Sequence, residues 1–140
     1  MSRRKGRILA FQGLYSWNVG GLNKEDVLSL SWTENENGEP CDMETTVFAR
    51  VLLAGAIENN EEIDSLIKSH LSGWDFDRVN KVSLAILRMS VYSLLFQKEI
   101  PPTIVIDEAI DIAKEYGPDD SFKFVNAVLD NIRKELDGKK

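Results

Sequence analysis

The chain has 140 residues, with 17 Lys and Arg against 23 Asp and Glu, one His and one Cys, for a formal net charge of -6. At 43% apolar and 29% charged, it has the composition of one globular domain with its own core, which excludes a disordered chain. A negative total argues against a polyanionic partner, yet residues 1–24 hold Arg3, Arg4, Lys5, Arg7 and Lys24 and no acid, so +5 there stands beside -11 on the remainder.

Apolar spacing near 3.6 recurs along the chain and no hairpin turn separates alternating runs, so the expected class is all-α, a compact bundle of six or seven helices spanning 1–140 as one domain. Ser2 is placed to cap a first helix with an inward stripe of Ile8, Phe11, Leu14 and Tyr15, ended by Gly20-Gly21, with Gly6 permitting a local bend. A short helix follows over 24–31. Turn formers and acids then make 32–42 an exposed loop, and Asp42 caps the next helix. There Phe48, Val51, Leu52 and Gly55 form one row and Ile63, Leu66, Ile67 and Leu71 a second. Asn59-Asn60 lies between the rows as a weak point, so a long or kinked helix is expected.

Residues 79–97 leave almost no polar face, which predicts the buried centre of the molecule. Ile100-Pro101-Pro102 stops that helix, and Pro102 suits the first turn of another, packed through Val105, Ala109, Ile112 and Ala113. Gly117-Pro118 ends it. Asp119 or Asp120 then caps a last helix whose core stripe is Phe122, Val125, Val128, Leu129, Ile132 and Leu136.

Catalytic signatures are missing. His70 is the sole conventional neutral-pH base and sits beside Ile67 and Leu71, as a packed or surface helix residue would; no nucleophile elbow, phosphate loop or dinucleotide fingerprint occurs. Asp107, Glu108, Asp111 and Glu115 have spacings that fit a hard cation, but Lys114 among them favours a solvated face, so neither metal nor cofactor is expected. Cys41 lies among acids, a poor setting for a thiolate, and a lone Cys fits a reducing cytoplasm. Although Arg3-Arg4-Lys5 followed by Ile8-Leu9-Ala10-Phe11 imitates a secretion signal, Gln12, Ser16 and Asn18 interrupt the apolar run.

The basic cluster is the strongest positive signal. It runs into a helix carrying Phe11, Tyr15 and Trp17, and Arg4 and Tyr15 are about three turns apart, on nearly one side. Guanidinium groups beside an aromatic edge suit single-stranded RNA, where phosphates pair with bases on the protein and unpaired nucleobases stack. From residues alone, RNA binding and a protein-interaction role both remain open.

Three stretches carry a family resemblance: Arg3-Arg4-Lys5-Gly6-Arg7 with Ala10-Phe11-Gln12-Gly13-Leu14-Tyr15-Ser16-Trp17, then Ala85-Ile86-Leu87-Arg88-Met89-Ser90-Val91-Tyr92, and above all Ile106-Asp107-Glu108-Ala109-Ile110 with Asp120-Ser121 and Lys123-Phe124-Val125-Asn126-Ala127-Val128-Leu129-Asp130. Essentially the whole chain resembles the NusB family of bacterial transcription antitermination factors. That resemblance implies two three-helix bundles without catalytic activity. It also implies a partner, the small-subunit ribosomal protein called NusE in this setting, with which the factor binds the boxA element of nascent ribosomal RNA and helps RNA polymerase read through terminators. Carried over residue by residue, the RNA contacts implied are Arg3, Arg4, Lys5, Arg7 and Tyr15, extended by Lys123 and Phe124, and the partner contacts are Trp17 and Ser83. The chain departs from the family where Ser83 and Ser93 replace usual acids, and the second change leaves Arg88 in need of another partner. Two alternatives are an RNA-binding domain of a ribosomal RNA methyltransferase, which would need a second domain, and a purely protein-binding module.

Overall fold

The structure, a computed structural model, describes residues 2–30, 42–71, 73 and 75–138. The expected 32–42 loop, except Asp42, and Cys41 lie outside the described residues. Among those described there are seven α-helices: α1 (Arg3–Asn18), α2 (Lys24–Ser29), α3 (Met43–Glu58), α4 (Asn60–Ser69), α5 (Lys81–Phe96), α6 (Pro102–Tyr116) and α7 (Ser121–Gly138), with a short 3-10 helix, Phe76–Arg78, before α5. α1, α2 and α3 pack on one another, as do α5, α6 and α7. α5 is the shared element, touching α1, α3 and α4 as well as α6 and α7.

Local chemistry sets the boundaries. The Ser2 hydroxyl accepts from Lys5 N, Asn23 from Asp26 N, Asp42 from Thr45 N, and Asn80 from both Val82 N and Ser83 N. Pro102 opens α6 where no N–H is needed. The polar weak point is a full break: α3 ends at Glu58 and α4 starts at Asn60, with the Asn59 amide donating back to the Gly55 carbonyl at 2.8 Å. Asp120 precedes α7 with a left-handed backbone (φ 64°). Its carbonyl accepts from Lys123 N, while its carboxylate lies 3.6 Å from Lys123 Nζ.

α5 is the buried centre. Leu84 to Val91 is an unbroken inaccessible run, including Arg88 and Ser90. The missing acid near Arg88 is replaced from α4. Arg88 Nε and Nη2 donate to the two carboxylate oxygens of Asp64, both at 2.8 Å, with the Phe76 ring 5.9 Å from the guanidinium carbon. The Ser93 hydroxyl instead donates to Gln97 Oε1 at 2.6 Å.

Two expected stripes are rotated. On α1, Phe11 and Leu14 face inward, but Leu9 and Ala10 join them while Ile8 is half-buried and Tyr15 exposed. The helix is wedged between α3 and α5, so its inward arc is wider and centred elsewhere than a single stripe implies. On α3 the buried set is Thr45, Ala49, Leu52, Leu53, Gly55 and Ala56. Phe48 is half-buried and Val51 exposed.

Candidate nucleic-acid interface

The basic residues sit on an ordered first turn. Thr45 Oγ1 donates to Asp42 at 2.7 Å and accepts from Ser2 N at 2.9 Å, so the start of α1 is tied to the start of α3 through one buried hydroxyl. The Thr45 backbone N–H, donating to Asp42 Oδ1 at 2.9 Å, and the Thr45 hydroxyl together hold the Asp42 carboxyl below its ordinary range. α1 runs straight through Gly6, which serves close approach and not a bend: a Cβ there would stand 2.6 Å from Phe48 Cδ1.

Phe48 organises two arginines. Its ring centroid lies 5.9 Å from the Arg3 and 5.5 Å from the Arg7 guanidinium carbon. Arg3 is exposed, whereas Arg7 is only 4% exposed. Burial pushes the Arg7 pKa down against the opposing charge of Glu108, and its Nη2 has no hydrogen-bond partner among the described residues. A buried, partly unpartnered guanidinium is weak support for a fold. Arg7→Met is therefore expected to melt no lower than the native chain in a thermal scan and to gain up to about 1 kcal/mol; a clearly lower midpoint would show that Arg7 braces the α1–α3 seam.

Arg4 turns the opposite way, onto α6. Its Nε donates to Glu108 Oε2 at 2.9 Å, and Nη2 donates to Glu108 Oε1 at 3.2 Å and to Asp111 Oδ2 at 2.8 Å. These bonds, led by Glu108, raise its pKa above the ordinary arginine value, and the side chain stays half-exposed. The acidic spacing that fits a hard cation is thus filled by a guanidinium of the same chain. Among the described residues no group of three His, Cys, Asp or Glu is placed to hold a metal ion. Lys5 is exposed, and among the described residues it enters no ion pair.

Farther along α1, Tyr15 is 37% exposed and lines an open groove of about 300 Å³ with Phe11, Gln12, Val82 and Tyr116. The Tyr116 ring packs on Phe11 at 5.3 Å between centroids and a 58° tilt, so the last turn of α6 borders this groove. On its other side, α6 sends Lys114 Nζ to within 5.0 Å of the Phe122 ring, while Lys123 Nζ lies 5.9 Å from the same ring. Lys123 is exposed and Phe124 half-buried. α6 therefore joins the basic turn, the Tyr15 groove and the start of α7. Glu108, Asp111 and Tyr116, which build this junction, were not among the expected site residues.

The two expected partner contacts differ in kind. Trp17 is half-buried at a polar groove with Asn59, Asn60, Glu61 and Glu62. Ser83 is 2% exposed, so it offers a partner no surface; its position on the inward arc of α5 removes it from contact. His70 closes α4, with Nε2 3.5 Å from Glu135 Oε1 on α7. No described helix is long and apolar enough to cross a membrane.

Comparison with known proteins gives consistent matches across the chain. The NusB family model matches residues 4–134. The transcription antitermination protein NusB of Treponema denticola is 53% identical over 133 residues, 95% of this chain and 96% of that protein. Among solved structures, T. maritima NusB superposes with a TM-score of 0.84 at 38% identity, over 96% of this chain and 92% of that one. A structure of antitermination factors NusB and NusE in complex with dsRNA gives 0.83 at 34% identity, over 95% of this chain and 96% of that one.

Proposed function

Because this chain belongs to the NusB family of transcription antitermination proteins, we propose that it binds the boxA element of nascent ribosomal RNA together with NusE, promotes read-through by RNA polymerase, and does so in the cytoplasm without catalytic activity. The observation that carries this reading is the ordered basic turn of α1, with Arg3, Arg4 and Lys5 at the surface of the same helix that lines the Tyr15 groove. Arg3 and Lys5 meet phosphates directly. Arg7 adds positive charge from beneath, and Tyr15 offers a ring for one base. Lys123 and Phe124 extend the surface from α7 across the end of α6. Trp17 is the proposed NusE contact, and buried Ser83 is not one.

The test is fluorescence anisotropy on a labelled boxA RNA with and without NusE, across a salt series. Three or four phosphate contacts to a single strand give a log-log salt slope of about -2 to -3. Arg3→Ala/Arg4→Ala/Arg7→Ala is expected to flatten that slope by about 1.4, the value of the two phosphates met by Arg3 and Arg4, and to weaken binding on the order of tenfold at physiological salt. Equal affinity in the variant and the native chain would overturn the site.

A further inference from the structure

Among the described residues, Arg4 is the one basic residue of the first turn held by carboxylates. Two carboxylates face its guanidinium, so the charge of Arg4 is already compensated before an RNA phosphate arrives. Nε and Nη2 are engaged and Nη1 is in none of these bonds, so a phosphate taking the Nε/Nη2 edge must displace Glu108 and one taking the Nη1/Nη2 edge must displace Asp111 from Nη2. The pair is half-exposed, so water and ions reach it and exchange is possible.

We propose that Glu108 and Asp111 are positioning residues for Arg4: they hold its guanidinium on α6 and away from the RNA backbone, so that binding by the free protein exchanges carboxylate for phosphate and its affinity is kept low. This rests on the RNA-binding reading above and adds to it the residues that set the strength of that binding. Among the described residues, Lys5 is exposed and unpaired and Arg3 is held only by the Phe48 ring, so neither meets this competition. The two acids lie on the helix that borders both the Tyr15 groove and the start of α7. A ligand that draws Glu108 or Asp111 away would release Arg4 at the centre of the surface.

The experiment is a double-mutant cycle read by anisotropy on the same labelled RNA, using native chain, Glu108→Gln/Asp111→Asn, Arg4→Ala, and the three changes combined. The amides keep shape and remove charge, and equal thermal midpoints confirm intact folds. Freeing Arg4 is expected to tighten binding roughly threefold to tenfold with little change in the salt slope, because Arg4 meets the same phosphate in both proteins and only the cost of parting it from the carboxylates is removed. In the Arg4→Ala background the amide changes are expected to have little effect. Unchanged affinity in Glu108→Gln/Asp111→Asn overturns the proposal. So does a gain of equal size without Arg4, because the acids would then act by plain repulsion, for which Glu108 is also placed near Arg7. If neither the native chain nor any variant binds the RNA, the RNA-binding reading fails and takes this inference with it.

Discussion

Asp64→Ala is expected to destabilise the protein by about 3 kcal/mol, and to lower the thermal midpoint by roughly 10 °C for a domain of this size. The Arg88 side chain retains 7% of its exposure and Asp64 14%, so the pair is nearly dry and its two 2.8 Å bonds are the charge compensation available to Arg88 on this side of α5. Deleting the carboxylate strands a guanidinium in the middle of the central helix. The flanking Phe76 ring offsets only part of that cost. Urea unfolding measures it directly. Adding Arg88→Met to Asp64→Ala should restore most of the loss, since an apolar chain of similar length needs no partner. A cost below about 1 kcal/mol for Asp64→Ala would mean that water reaches the pair.

Gly55→Ala is the second large effect, and here two terms oppose. Alanine in a helix interior is favoured over glycine by about 1 kcal/mol. A Cβ at position 55, however, would overlap Cε1 and Cζ of Tyr92 and stand 2.7 Å from its hydroxyl oxygen. That ring lies across α3 and is itself packed at 5.3 Å on Phe96. Such overlap costs typically 1–3 kcal/mol in a packed seam, so we expect a net loss of about 1–2 kcal/mol by chemical denaturation. With Tyr92→Ala beneath it, the same change should become stabilising, because the clash is gone and the helix preference remains. A stable Gly55→Ala single variant would show that the ring swings out freely.

The parts of this fold that sequence reveals are those whose causes are local. Ser2, Asn23, Asp42 and Asn80 each bond a backbone N–H two or three residues ahead, and α5 declares its burial through its own missing polar face. Orientation is less legible. The α1 stripe is misjudged toward Ile8 and Tyr15 because its true inward arc is set by two neighbours, α3 and α5, that spacing along one helix cannot place. At the candidate interface, the basic residues announce themselves by composition, but their states do not. Arg7 is buried by Phe48, and Arg4 is engaged by acids 104 and 107 residues away. The need of Arg88 for a partner follows from a buried charge, whereas its identity as Asp64 depends on how α4 crosses α5.

The contact between Arg4 and α6 also has a consequence in time. A chain is made from its N-terminus, so α1 leaves the ribosome with its arginines long before residues 108 and 111 exist. The contact has to wait until α6 has been made. During synthesis the newborn helix therefore carries an unmasked positive charge beside ribosomal RNA, and only completion of α6 takes Arg4 out of circulation. The same residue is thus an available cation in the unfinished protein and a held one in the finished protein, a difference set by the order in which the chain is built.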